Sequence, residues 1–381
     1  MKGTRWILAA ALLIGLLPLR ANATALAEAG KSAVLMDVTT GTVLYEANSH
    51  EPLAPASVTK VMTMLLIMEA VDSGKIGLQD TVTASEAAAA KGGSQIYLKA
   101  GETMTVSDML KSIAVSSAND CACAMAEHIC GSEAAFVEAM NQRAKELGMR
   151  DTHFVNCTGL DDDDTAKQHR TSAHDIALMS RELLKNHPLI KKYTTIWMDT
   201  VRGGAFGLSN TNKLIRFYPG ATGLKTGFTS GAGYCLSASA QRDGMELVAV
   251  VMGAKTSAAR NAACKELLDY GFANFAVIAP ELTEIPGVNV KLGKQGSVSA
   301  ALGESTGLLI DKAQKSAVTT EVALEESVTA PVAQGQRIGT LSIKSGEQTL
   351  RQIPLVASEP VERLTMGDIF VNVLRRAAMA K

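Results

Sequence analysis

An α+β architecture is predicted for this 381-residue chain by the way strand-like and helical runs are distributed along it. Two strand-like runs around Thr39-Thr40-Gly41, in "SAVLMDVTTGTVLYEAN", read as an N-terminal hairpin. A long block of helical segments follows, and then three apolar strand-like runs joined by short turns, which makes neighbouring strands antiparallel. Hairpin, helical block, three-stranded meander and a closing helix give one domain, with helices packed on a mainly antiparallel sheet that both ends of the domain share.

Composition bounds the answer. At 47% hydrophobic the chain can fill a large core, and its length fits two or three domains. The net charge of −1, with both signs interspersed, lacks the basic stripe of a nucleic-acid binder, so no nucleic-acid partner is expected.

Residues 1–27 read as a signal peptide. Lys2 and Arg5 precede "WILAAALLIGLLPL", and the small-residue sites Ala21-Asn22-Ala23 and Ala25-Leu26-Ala27 place cleavage after Ala23 or Ala27. The apolar run is shorter than the ~20 residues of a spanning helix. Loss of Lys2, Arg5 and Arg20 takes the net charge from −1 to −4, and the mature protein is expected outside the cytoplasmic membrane.

The first domain spans 28–278. After the hairpin a helix opens at Ser57 and stops at Ser73-Gly74. Further helices are predicted for Val106 to Val115, Ala118 to Ile129, Glu133 to Leu147 and Ala173 to Lys185. The meander comprises Gly223 to Phe228, Tyr234 to Ala240, a turn at Gln241-Arg242-Asp243-Gly244, and Glu246 to Met252, before a helix from Ser257 to Phe272. Residues 279–360 carry alternating runs such as "RIGTLSI" and "TLRQIPLV" between Gly, Ser and Glu clusters, a small all-β module with nothing that indicates chemistry. In the tail, 361–381, Met366, Ile369, Phe370, Val373, Leu374 and Ala377 form one stripe of a helix too charged to span a bilayer, which suits an interfacial membrane helix.

Six cysteines in an exported chain raise the question of disulfides. Cys121, Cys123 and Cys130 share a helix on which no two can bridge, and C-x-C on a helix points its sulfurs apart, so buried apolar roles are expected rather than metal ligation. A bridge from one of them to Cys157, Cys235 or Cys264 stays open.

The chemistry begins in "LAPASVTKVMTMLLIMEAV", where an otherwise apolar helix carries Ser57 and Lys60. Residues three apart share a helix face, so the amine can reach the hydroxyl. Burial disfavours the charged form of a lysine, and a neutral lysine can take the serine proton. S-x-x-K alone is a weak signal. Two further elements strengthen it: Ser117-Ala118-Asn119 at a helix start, and Lys225-Thr226-Gly227 on the strand that opens the meander. This order and these contexts are those of a penicillin-recognising serine acyltransferase.

On these motifs, together with "GTVLYEANSHEPLAPASVTKVMT", "TSAHDIALMSREL", "GLKTGFTSGAGYCLSASA" and "AVVMGAKT", the chain from about Ser32 to its end resembles the low-molecular-mass penicillin-binding proteins of the penicillin-binding protein 5 type, serine-type D-Ala-D-Ala carboxypeptidases. The resemblance implies a β-lactamase/transpeptidase-like catalytic domain, followed by the all-β module and the amphipathic helix. The implied substrate is a peptidoglycan stem peptide ending in D-Ala-D-Ala, with β-lactam antibiotics as acylating ligands, and the location is the outer face of the cytoplasmic membrane. Ser57 would be the nucleophile and Lys60 its general base, kept neutral by repulsion from Lys225. Ser117 would relay a proton to the leaving amine, and Asn119 would bind the substrate backbone. Lys225 and Thr226 would hold the terminal carboxylate, assisted by Arg260, and Gly227 would leave room for substrate. The backbone N–H groups of Ser57 and Phe228 would form the oxyanion hole. Phe228 stands where close relatives carry histidine, which puts side-chain contributions to substrate preference in question.

No cofactor or metal is expected. The acidic run Asp161 to Asp164 reads as solvated, and His169 and His174 lack metal-ligand spacing. The alternatives are a class A β-lactamase, a peptidoglycan endopeptidase and a non-catalytic wall-binding protein. The first needs an E-x-x-L-N loop that is absent here, and the last is disfavoured by the complete catalytic set.

Overall fold

The structure, a computed structural model, describes residues 29–161, 165–278, 285–304 and 307–379; the expected signal segment and its cleavage positions lie outside the described residues.

Strands β1 (Ser32–Asp37) and β2 (Val43–Ala47) form the N-terminal hairpin. The helical block contains α1 (Lys60–Asp72), α2 (Val106–Ser116), α3 (Asn119–Cys130), α4 (Glu133–Glu146) and α5 (Ala173–Asn186). The meander β3 (Ala221–Thr229), β4 (Gly233–Arg242) and β5 (Met245–Ala254) leads into α6 (Ser257–Asn274). The five strands are ordered β2-β1-β5-β4-β3 with every neighbour antiparallel. The hairpin and the meander thus meet at β1 and β5, with Val34 opposite Val250.

Local signals fix the helix starts. Thr105, Ser132, Ser172 and Thr256 each accept a backbone N–H three residues on, from Asp108, Ala135, Asp175 and Ala259. Asp108, Glu133 and Asp175 add a negative charge to the first turns of α2, α4 and α5, where the helix dipole favours it. Helix α1 is different: it is apolar around most of its circumference and buried accordingly. It begins three residues later than its sequence implies, because Ala56 has a left-handed backbone (φ +48°) and the chain runs through a 3₁₀ turn, Ala56–Thr59, that carries Ser57.

The sheet is buried on both faces, which is why β1 is apolar at nearly every position. Val34 and Met36 join the helical core around α1, while Ala33 and Leu35 join Leu236, Leu247, Val251 and the Ala263, Cys264, Leu267 and Leu268 stripe of α6.

The first domain ends in β6 (Phe275–Ile278), and the module that follows comprises β7 (Val288–Lys291), β8 (Ser297–Val298), β9 (Ala300–Leu302), β10 (Leu308–Asp311), β11 (Val318–Leu324), β12 (Ser327–Thr329), β13 (Arg337–Ser345) and β14 (Gln348–Ala357). Its larger sheet is ordered β9-β14-β13-β11, a second is β8-β7-β12 with β7 and β12 parallel, and β6 pairs with β10. Because β6 continues directly from α6, this pairing ties the module to the first domain ahead of residue 279. The tail forms α7 (Met366–Met379), on which Met366, Phe370, Val373 and Leu374 are more than half exposed. No helix among the described residues is long and apolar enough to cross a membrane. All six cysteines are free thiols, so the bridge left open by the sequence is not formed.

Helix α6 comes close to the sheet at Gly271, where an added Cβ would lie 2.4 Å from Leu247 Cδ1 and 3.0 Å from Leu35 Cδ2. Gly271→Val should therefore overpack the α6 face and cost about 1–3 kcal/mol, read as a lower denaturant midpoint at unchanged slope. An unchanged midpoint would mean that α6 lifts from the sheet without penalty.

Candidate active site

The Lys60 side chain is fully buried, and its Nζ donates to Ser57 Oγ at 3.0 Å and to the Thr158 carbonyl at 2.8 Å. Burial pulls its pKa down to about 7, against opposing contributions from Cys157 and Asp120. A substantial fraction of the amine is then neutral near pH 7, so the pair has a base in reach of its hydroxyl. The carbonyl is presented by a tight turn: Asn156 Oδ1 accepts the N–H groups of Thr158 and Gly159, and Thr63 Oγ1 donates to Cys157 O at 2.6 Å. Gly159, at φ +80°, lies so close to the Ser57 turn that a Cβ would fall 1.8 Å from Ala56 O. Only glycine fits there.

At the corner between α2 and α3, Ser117 ends the first helix in a left-handed conformation and Asn119 opens the second. Ser117 Oγ and Asn119 Oδ1 are buried without a hydrogen-bond partner, while Asn119 Nδ2 donates to Gly92 O at 2.7 Å. Buried polar atoms of this kind call for a partner, and here they are a hydroxyl and an amide acceptor. The preceding loop is held by Asp120, whose carboxylate accepts N–H groups from Ile96, Leu98 and Cys121.

Strand β3 supplies the third side. A Cβ on Gly227 would lie 2.7 Å from Pro55 O and 3.0 Å from Val58 N, so this residue lets the strand abut the turn that carries Ser57. Lys225 is buried and donates to Thr226 O at 2.7 Å; burial, and then the charges of Lys60 and Arg260, hold its pKa well below the usual lysine range. The expected direction of repulsion is corrected by this: it bears on Lys225, whereas at Lys60 burial is the lowering cause. Thr226 Oγ1 donates to Thr211 Oγ1 at 2.6 Å. Arg260 is buried in α6 rather than solvated, with Nη1 directed at Cys235 O and the guanidinium 5.8 Å from the Tyr234 ring. Phe228 is 54% exposed and lies against Tyr234 with ring centroids 4.2 Å apart.

All nine residues picked from the sequence belong to these three elements or to α6 beside them. Asn156, Thr158, Gly159 and Thr211 were missed, although the Asn and Gly of "NCTG" carry a turn signal. Of the acidic run, Asp162 to Asp164 lie outside the described residues. Elsewhere Glu69, Glu182 and His187 approach one another with metal-like spacing, but Arg143 bridges the two carboxylates at 2.7 Å each, forming an ion-pair network.

Known proteins share this arrangement of chain. The family described as D-alanyl-D-alanine carboxypeptidase matches residues 20–256, and the family described as penicillin-binding protein 5, C-terminal domain, matches 283–363. The chain is 45% identical over 357 residues to D-alanyl-D-alanine carboxypeptidase DacF of Bacillus subtilis, covering 90% of each. It is 34% identical over 353 residues to D-alanyl-D-alanine carboxypeptidase DacC of Escherichia coli, covering 89% of this chain and 85% of that one. Among solved structures, penicillin binding protein 5 from Haemophilus influenzae superimposes with a TM-score of 0.73 at 31% identity, covering 88% of this chain and 98% of that one.

The lowered pKa gives a signed prediction. The second-order rate constant for acylation should rise with pH through about 7 and level off above it, because only the neutral Lys60 amine accepts the Ser57 proton. A profile measured with a β-lactam that does not itself titrate there, and showing no inflection near 7, would remove Lys60 as the base.

Proposed function

The chain belongs to the Peptidase S11 family, the D-alanyl-D-alanine carboxypeptidases, and from that premise we propose that its serine carboxypeptidase chemistry runs through Ser57 on peptidoglycan stem pentapeptides. Ser57 Oγ attacks the carbonyl between the two terminal D-alanines while the neutral Lys60 amine takes its proton. The carbonyl oxygen becomes an oxyanion between the N–H groups of Ser57 and Phe228. Collapse breaks the C–N bond as Ser117 gives its hydroxyl proton to the departing D-alanine amine and takes in its place the proton held by Lys60, and water then hydrolyses the Ser57 ester. Asn119 Oδ1 accepts a substrate amide N–H. Lys225, Thr226 and Arg260 hold the terminal carboxylate, and Gly227 keeps the strand edge open. The observation that carries this reading is the buried Lys60 amine 3.0 Å from Ser57 Oγ.

Penicillins acylate the same serine. A β-lactamase reading is disfavoured because the loop against Lys60 contributes the Thr158 carbonyl, with no carboxylate from that turn to activate water. We assign residues 28–278 to the catalytic domain, 279–360 to the β module and 361–381 to a tail whose helix, beginning only at Met366 because Val361 is buried in the β module, lies in the outer face of the cytoplasmic membrane. The exposed apolar side chains of α7 support that last assignment.

Purified mature protein should release D-alanine from diacetyl-L-Lys-D-Ala-D-Ala, and Ser57→Ala should abolish both this release and labelling by fluorescent penicillin. Penicillin should leave an adduct on the Ser57 peptide that persists for minutes, seen by intact mass; rapid multiple turnover without an adduct would make the protein a β-lactamase. Undiminished labelling of Ser57→Ala would refute the nucleophile.

Truncation before Met366, where α7 begins, should release an enzyme that hydrolyses the soluble tripeptide at the full-length rate but no longer sediments with anionic vesicles. Unchanged sedimentation would place the anchor elsewhere in the chain.

A further inference from the structure

His169 takes no part in the chemistry above, yet it is buried, 3% exposed, under the nucleophile turn. Its Nδ1 accepts the Val155 backbone N–H at 3.1 Å, and its Nε2 lies 2.8 Å from Thr59 Oγ1. The single hydroxyl proton of Thr59 is directed to Ala56 O at 2.8 Å. Proton counting then leaves one arrangement: Nδ1 is an acceptor, so Nε2 carries the hydrogen and donates to Thr59, which donates to Ala56. Burial and the neighbouring charges of His153 and Lys60 hold the His169 pKa down to about 4, in keeping with this neutral form.

The end of the relay is Ala56, which has φ +48° and immediately precedes Ser57. A left-handed alanine persists only where its surroundings hold it there. The Ala56 carbonyl is fixed from two sides, by the Thr59 hydroxyl and by close contact with Gly159. Phe154 meets the His169 ring edge-on at 5.6 Å, so the imidazole is held in turn.

We propose that His169 is a positioning residue that acts through Thr59 on the Ala56 carbonyl and thereby fixes the strained turn that aims Ser57. The proposal rests on Ser57 as nucleophile. A donor on Thr59 commits the Thr59 proton to Ala56; without that donor the hydroxyl is free to turn, and the carbonyl loses its partner.

The test follows acylation by fluorescent penicillin under single-turnover conditions, separating the noncovalent binding constant from the acylation rate constant. His169→Leu is expected to lower the acylation rate constant on the order of 10- to 100-fold with little change in binding, the loss typical of a misaligned attacking group. His169→Gln, which retains a donor, should recover most of the rate. Thr59→Val removes the same links without opening a cavity, and the double variant should be no slower than the slower single one, since both cut one relay. Wild-type acylation by His169→Leu, or losses that multiply in the double variant, would overturn the relay. If His169→Leu does not fold, wild-type acylation by Thr59→Val overturns it equally. Labelling of Ser57→Ala would instead overturn the nucleophile, so the two failures are distinct.

Discussion

The constraint on which the active site depends is the burial of the Lys60 amine in the most apolar helix of the fold. An ammonium group there costs several kcal/mol unless it is compensated or discharged. The protein does both in part: the Thr158 carbonyl and Ser57 hydroxyl accept from the amine, and burial shifts it toward neutrality. Each compensation imposes a further demand. The carbonyl must come from a turn pressed against the one that carries Ser57, which requires Gly159 and the Asn156 acceptor. The strand on the other side must approach the same turn, which requires Gly227.

The sheet converts those local demands into one site. Pairing of β1 with β5 closes the domain, and β3 stands at the free edge next to the entry to α1. The α2–α3 corner is brought alongside by packing of α3 on α1 in the shared core. Because side chains alternate on a strand, Lys225 faces the protein interior while Thr226 reaches the Thr211 hydroxyl at the rim. Three motifs far apart in sequence are thus packed into one domain without any of them leaving a regular element or its cap.

Much of this was legible because it is written in local patterns. The hairpin, the five long helices and the meander follow from periodicity, turn residues and caps, and S-x-x-K is a spacing that a helix or 3₁₀ turn brings together. What escaped depends on contacts between distant residues. Nothing local reveals that Lys60 will find a carbonyl at Thr158, that Arg260 will be buried, or that β7 will pair in parallel with β12. The late start of α1 escaped because Ala56 carries no glycine-like signal for its left-handed backbone; tertiary contacts hold it there. His169 illustrates the same limit: its spacing offers no metal site, and its partners Thr59 and Val155 are invisible from its own neighbourhood.

The electrostatics of the proposed roles connect binding to chemistry. Lys225 is surrounded by burial and by two other cations, Lys60 and Arg260, so in the free site its charged form is disfavoured. A substrate carboxylate placed between Lys225 and Arg260 reverses that balance and favours a charged Lys225. The newly charged Lys225 then repels a proton on Lys60, which favours the neutral amine that Ser57 needs. In the free site burial sets the Lys60 value. On this account carboxylate recognition and base activation are one coupled titration rather than two independent functions. On the proposed roles, peptides that lack the terminal carboxylate should lose activation as well as binding.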